Sequence, residues 1–272
     1  MSTPTPTLNS PRFDWMQATV HDDPIEVSEV LAGTLGGELE KARGLNGYTH
    51  SNLVKRADET LARVLYGGPN GWCHVIASGA QTDDVSPVIR GAWKGLHEVT
   101  RMDTAQDFDQ EGGYEQIRAL MLDIAESAGL SRQEVESVVN GQRSRTTYLG
   151  APSSRVRVRL YEKGAFERQK GNDGALEHWI RLEAQIRPTG QNARQNAAEL
   201  DASEAWGQSR WTRELARRAM DLDVPQVTMQ LRREPDYMRA IRACRDQYGA
   251  TLAKALLHEG TWENVGKLLE VL

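Results

Sequence analysis

One stretch of the sequence alternates residue by residue between polar and apolar side chains, the pattern of a β-strand with one buried face. Its polar positions are Arg155, Arg157, Arg159, Tyr161 and Lys163, and its apolar positions are Val156, Val158 and Leu160. Such a polar row either keeps an edge strand from pairing with other chains or binds phosphates beside a phenol. In both cases the pattern predicts a strand.

Two further stretches alternate in the same way. Residues 99–108 place Arg101, Asp103, Ala105 and Asp107 on one face, and residues 177–187 do so with Trp179, Arg181, Glu183, Gln185 and Arg187. If the three strands are neighbours in one antiparallel sheet, carboxylates, a phenol and guanidiniums meet on a single open face. Carboxylates on adjacent strands can hold Mg²⁺ or Mn²⁺, arginines can bind phosphates and a tyrosine can be a nucleophile. Ordinary ion pairs, Asp103 with Arg101 and Glu183 with Arg181, are the alternative interpretation.

The order of these patterns predicts an α+β fold: an antiparallel sheet with helices on one face and an open face for nucleic acid. A Thr-, Pro- and Ser-rich lead-in, residues 1–12, is expected to be disordered. Residues 13–188 then form the α+β domain. Residues 189–272 follow as a small helical domain, with Ser203 as the expected N-cap of a helix that ends at Met220.

Charge is distributed unevenly along the 272 residues. The net charge is −5, yet residues 142–245 hold 20 Lys and Arg against 13 Asp and Glu. A basic half of this kind is typical of proteins with a polyanionic partner.

No apolar run approaches the ~20 residues that span a membrane, and the two distant cysteines, Cys73 and Cys244, indicate a reducing cytoplasm. Phosphate-loop, dinucleotide and hydrolase-elbow motifs are absent from the sequence.

Several motifs taken together resemble those of a known family. They are Phe13-Asp14-Trp15 with Ala18-Thr19, Thr100-Arg101-Met102-Asp103 with Asp107, Thr147-Tyr148-Leu149-Gly150 with Ser153-Ser154, Arg159-Leu160-Tyr161-Glu162-Lys163, and Arg181-Leu182-Glu183 with Arg187. This set resembles the replication initiation factor family, the Rep_trans-type initiators of rolling-circle plasmids and filamentous phages, which are related to HUH endonucleases. The resemblance covers about Phe13 to Met220. The chain departs from HUH enzymes because none of its six histidines forms a His-x-His pair.

The resemblance implies a metal-dependent DNA-nicking endonuclease and strand transferase. In that interpretation Tyr161 is the nucleophile, with Tyr148 as its rival, and Arg159 and Lys163 favour the phenolate. A divalent metal, Mg²⁺ or Mn²⁺, is held by Asp103 and Glu183, with Asp107 as a third ligand. Transesterification yields a 5′-phosphotyrosyl protein and a free 3′-OH that primes synthesis.

The expected partner is single-stranded or extruded origin DNA, with a host helicase and a second copy of the chain as further candidates. The predicted DNA-binding residues are Arg155, Arg157, Arg181 and Trp179 on the sheet and Arg210, Arg213, Arg217 and Arg218 on a later helix. Two other classes stay open: a non-catalytic DNA-binding or regulatory protein, and a protein-interaction module with an incidental basic face. Only the enzyme forms a covalent adduct, and the interaction module does not bind DNA in a salt-dependent way.

Overall fold

The computed structural model describes residues 10–227 and 236–270. The chain divides into two compact units, Met1–Met229 and Gln230–Leu272. Of the segment predicted to be disordered, residues 1–9 lie outside the described residues, and Arg12 begins the first strand. Within the described ranges, no helix is long and apolar enough to cross a membrane.

The strands of the first unit are β1 (Arg12–Val20), β2 (Glu38–Arg43), β3 (His50–Arg56), β4 (Glu59–Tyr66), β5 (Cys73–Ser78), β6 (His97–Asp109), β7 (Arg132–Val139), β8 (Gln142–Leu149), β9 (Val156–Tyr161) and β10 (Trp179–Ile186). Its helices are α1 (Pro24–Leu35), α2 (Gln81–Ala92), α3 (Gly113–Ala128), α4 (Lys163–Gln169), α5 (Gln191–Glu199), a 3₁₀ helix (Glu204–Gln208) and α6 (Arg210–Met220). The second unit holds α7 (Asp236–Glu259) and α8 (Trp262–Glu270), which pack against each other.

The ten strands of residues 10–227 form one antiparallel sheet in the order β2-β3-β4-β5-β1-β6-β10-β9-β8-β7. The three strands with the alternating polar rows, β6, β10 and β9, are therefore direct neighbours, as the sequence predicts. Gly150 makes the turn from β8 to β9. Its φ is +87°, and a Cβ there would lie 2.8 Å from the carbonyl oxygen of Val156, so only glycine fits.

The sheet has two chemically different faces. Apolar side chains such as Met102, Val158 and Leu182 lie on the helical face, where α1 and α2 cover one half and α3 and α6 the other. The opposite, polar face carries the charged rows of β6, β9 and β10. The predicted α+β fold with helices on one face is confirmed. One short helix, α4, is an exception because it packs across the polar face against β8 and β10.

The structure places the division between units at residues 229 and 230, not after Pro188. Helices beyond Pro188 belong to the sheet unit because they supply its core: Ala198, Trp206 and Leu215 are all buried there. The helix predicted from Ser203 to Met220 is divided in two: Ser203 is the N-cap position of the 3₁₀ helix, where its side chain makes no capping hydrogen bond. The N-cap of α6 is Ser209, whose hydroxyl accepts a hydrogen bond from the Thr212 N–H in a capping box.

Candidate functional site

The predicted site residues share the polar face of three neighbouring strands. Arg181 of β10 lies between Tyr161 of β9 and Asp107 of β6, and Glu183 lies between Arg159 and Ala105 in the next row. Because paired residues in an antiparallel sheet project from the same face, the carboxylates, guanidiniums and phenol lie together. Residue alternation predicted this convergence on the condition that the three strands are neighbours in one sheet, and the structure meets that condition.

Asp107 and Arg181 form the most buried ion pair of the site. Arg181 Nε and Nη2 donate to the two Asp107 oxygens at 2.7 and 2.8 Å. Asp107 also accepts from Trp179 Nε1 at 2.8 Å and from Arg12 Nη2 at 3.3 Å. Burial acts to raise the pKa of Asp107, but these donors and their charges outweigh burial and hold the pKa below its usual range. Asp107 is therefore an anchor that orients Arg181 and Trp179.

Asp14 joins this network through an irregularity in β1. The register of β1 against β6 shifts between Phe13 and Trp15, so two consecutive residues, Asp14 and Trp15, both reach the polar face. Asp14 accepts a 2.6 Å hydrogen bond from Arg181 Nη1. Strict alternation would place Asp14 and Trp15 on opposite faces, so the sequence pattern alone could not reveal this contact.

The other two predicted metal ligands are also paired with arginines. Arg159 Nη2 approaches the Glu183 oxygens at 2.7 and 2.8 Å, and Arg101 donates to both Asp103 oxygens at 2.9 and 2.5 Å. Burial raises the pKa of Glu183 despite the Arg159 charge, and the nearby Asp14 and Asp103 carboxylates act in the same direction. Each carboxylate thus already has a cationic partner.

These pairings decide whether a divalent cation fits the site as it stands. In residues 10–227 and 236–270, no group of three or more acidic, His or Cys side chains is arranged to hold a metal. A cation at Asp103, Asp107 or Glu183 would have to displace Arg101, Arg181 or Arg159 from buried carboxylates. The donor set does not fit a metal without that rearrangement, and the predicted ligand roles stay predictions.

Tyr161 lies on the predicted face but is covered. Its side chain is only 8% exposed, and the ring of Phe166 on α4 meets it edge-on at 6.0 Å between centroids. Burial raises the pKa of the phenol, and Glu183 adds to this, while Arg181 and Arg159 act to lower it. In the described residues its hydroxyl makes no hydrogen bond. Tyr161 is therefore a protonated phenol in this conformation.

Tyr148 shares the polar face of β8 and lies directly beside Arg159 of β9. It is half-buried, and the guanidinium of Arg157 lies 4.0 Å from its ring centroid. Tyr148 is thus the more accessible of the two tyrosines, at one row's distance from Tyr161.

Lys163 does not continue the strand row, because it begins α4. Its ammonium pairs with Glu167 and lies 5.6 Å from the ring centroid of Trp179. Burial lowers the pKa of Lys163 although Glu167 opposes the shift. Lys163 therefore helps to fasten α4 over the polar face.

Trp179 was predicted to contact DNA, but the structure buries it. Its side chain is 1% exposed and is fixed by the hydrogen bond to Asp107. Arg181, another predicted DNA contact, is likewise buried between Asp107 and Asp14. Both predictions assumed that outward-facing residues are exposed, whereas long neighbouring side chains and α4 cover them.

The predicted DNA-binding arginines of α6 lie on the other side of the sheet, because α6 packs on the helical face. Arg210 is exposed, Arg213 donates to the carbonyl of Val224, and Arg217 and Arg218 pair with Glu214 and Asp123.

Arg155 and Arg157 remain available on the polar face. Arg155 is exposed and Arg157 is half-buried, and neither forms a salt bridge in the part of the chain that the structure describes. Arg157 Nε, Arg159 Nε, Arg12 Nε and Trp15 Nε1 are buried N–H donors on this face without an acceptor among the described residues. Buried donors normally have partners, so the face offers unused capacity for oxygen acceptors.

The fold that carries this site is similar to that of a solved protein. No family model matches the sequence, and no curated protein matches it. The structure is similar to that of the rolling circle replication initiator protein from Geobacillus stearothermophilus, with a TM-score of 0.55 and 20% sequence identity over 80% of this chain and 98% of that one. At this identity the similarity shows a shared fold.

Proposed function

We propose that this protein is a rolling-circle replication initiator that binds single-stranded origin DNA on its polar face and nicks it through a tyrosine. The observation that carries the proposal is the convergence on that face of Tyr161, the buried carboxylate–arginine pairs and the N–H donors without acceptors. The shared fold with a replication initiator supports it. Phosphate oxygens of a DNA strand are the acceptors that these donors lack.

The proposed reaction is a transesterification. The Tyr161 oxygen attacks the scissile phosphorus, a Tyr–O–P bond forms, and the bond from phosphorus to the 3′ oxygen breaks. The phenol gives up its proton, and the leaving 3′ oxygen takes one up as a free hydroxyl. Arg159, whose Nε has no acceptor among the described residues, is placed to stabilise negative charge on the phosphoryl oxygens.

Tyr161 cannot attack while it is covered. Burial raises the pKa of its phenol and α4 lies over its ring, so the proposal requires that DNA binding displaces α4 or shifts the strand end. Tyr148 needs no such movement because its side chain is already partly exposed. It remains the alternative nucleophile.

A divalent cation, a helicase partner and a homodimer remain predictions. Because arginines occupy Asp103, Asp107 and Glu183, we derive no step through a metal. The same pairings favour a second candidate function, a DNA-binding protein that does not cut, in which the carboxylates only hold the arginines in place.

The test separates these functions. Wild type, Tyr161→Phe and Tyr148→Phe are incubated with labelled single-stranded origin-like DNA and Mn²⁺, and an adduct that resists SDS is sought. We expect the adduct in wild type and Tyr148→Phe and its loss in Tyr161→Phe, with DNA affinity unchanged in all three. Salt-dependent binding without an adduct in wild type supports the non-cutting function, and no salt-dependent binding rejects both.

A further inference from the structure

Four arginines gather on the polar face beyond the Tyr161 and Glu183 rows, and we call them the arginine patch: Arg101, Arg155, Arg157 and Arg187. In the strand register, Gln185 of β10 lies directly between Arg157 of β9 and Asp103 of β6. The backbone N–H of Arg187 donates to the backbone carbonyl of Arg155 at 2.7 Å, so the same register continues for one residue beyond the end of β10. By the same register Arg101 lies on the other side of Arg187.

The patch has more positive charge than its surroundings neutralise. Arg101 pairs with Asp103, whereas Arg155, Arg157 and Arg187 form no salt bridge within the described residues. The hydrogen-bond acceptors of these three side chains are neutral: Thr189, Gln133 and the carbonyl of Pro152, respectively. Burial lowers the pKa of Arg187, and the nearby Arg101 and Arg157 charges lower it further, opposed by Asp103. Like charges held this close disfavour the unbound state.

Unused donors and free space adjoin the patch. Trp15 Nε1 and Arg157 Nε are buried without an acceptor in the part of the chain that the structure describes, and both belong to the row of Gln185 and Asp103. A groove of about 480 Å³ continues from Arg155 and Arg187 to the helical side of the sheet, where it is lined by Val156, Ile186 and Trp211 together with Ser154, Gln208 and Ser209. Guanidinium charges, N–H donors without acceptors and an adjoining groove are together suited to bind an anionic chain.

We infer that the arginine patch binds backbone phosphates of the DNA strand on one side of the scissile phosphate and directs that strand into the adjoining groove. This inference rests on the proposed function and assigns Arg101, Arg187 and Trp15 a role in it. Arg157 is four residues from Tyr161 on the same strand, about 13 Å at ~3.3 Å per residue. The patch therefore engages a phosphate other than the one that is cut, and it fixes the direction in which the strand crosses the sheet.

The test neutralises one phosphate at a time. Single-stranded oligonucleotides with one methylphosphonate at successive positions around the nick are bound to wild type, to Arg187→Gln and to the control Arg56→Gln, which removes an exposed arginine at the β3–β4 turn. In wild type and Arg56→Gln, we expect weaker binding when one or two phosphates on one side of the nick are neutralised. Arg187→Gln should lose that sensitivity, and its log–log salt slope should be smaller by about 0.7.

Each other outcome has a distinct meaning. Equal sensitivity in wild type and Arg187→Gln overturns the inference while the proposed function stands. A wild type that binds no oligonucleotide in a salt-dependent way overturns both. If inorganic phosphate raises the melting temperature of wild type but not of Arg187→Gln, and no oligonucleotide position depends on Arg187, the patch is a site for free phosphate and the strand assignment is wrong.

Discussion

Replacing Asp107 with Asn tests whether the buried carboxylates are anchors or ligands. Asp107 and Arg181 are 1% and 3% exposed, and the substitution would leave the guanidinium with Asp14 as its remaining close acid. Removing one partner of a buried ion pair costs about 3–5 kcal/mol. In a unit of this size that lowers the melting temperature by about 10 °C.

The assay is urea unfolding of metal-free protein, with Glu136→Gln as the matched control. Glu136 pairs with Arg143, and both side chains are exposed, so the control should cost less than about 1 kcal/mol. If Asp107 instead belonged to a site built for a cation, neutralising it would relieve repulsion between carboxylates. An Asp107→Asn protein as stable as wild type, or more stable, would refute the anchoring role.

Three further outcomes follow from burial and backbone geometry. Burial lowers the pKa of His74 from 6.5 to about 4, with Arg194 adding to the shift, so the unfolded chain takes up a proton first as pH falls below 6.5. The His74 contribution should lower stability by up to ~2 kcal/mol between pH 7 and 5, while Glu183, whose pKa burial raises, acts in the opposite direction. The loss due to His74 is therefore measured as the difference between the urea titrations of wild type and His74→Gln over this pH range. Tyr161→Phe should change unfolding free energy by less than about 1 kcal/mol because its hydroxyl makes no hydrogen bond among the described residues. Gly164→Ala should lower the melting temperature, since its Cβ would clash with the Leu176 carbonyl; an unchanged value contradicts the position of α4.

Most of what could be predicted from the sequence came from the alternation of polar and apolar residues along the strands. It predicted the three strands and, if they share one sheet, the common face of Asp103, Tyr161 and Glu183, because side-chain direction in a strand has a period of two. It could not predict which arginine pairs with which acid. Glu183 was expected to pair with Arg181 of its own strand, yet it pairs with Arg159 of the neighbouring strand. The sequence could not show this because the alternation of one strand does not determine its register with the next.

The sequence pattern also could not predict which side chains of the polar face are buried. Trp179 and Tyr161 point away from the helical face as predicted, yet α4 and long neighbouring side chains cover them. The α6 arginines were placed correctly on a helix, but the side of the sheet on which α6 packs depends on Trp206 and Leu215 filling the core. These are tertiary packing effects, which residue periodicity does not contain.

Identification of the residue that carries DNA tests the central claim most directly. Cleavage after Lys and Arg separates the two tyrosines, since residues 160–163 contain Tyr161 and residues 146–155 contain Tyr148. After reaction with single-stranded origin-like DNA and nuclease trimming, mass spectrometry should find the nucleotide on peptide 160–163. A nucleotide on peptide 146–155 would move the nucleophile to Tyr148, and its absence from both peptides would contradict the proposal that these tyrosines cut DNA.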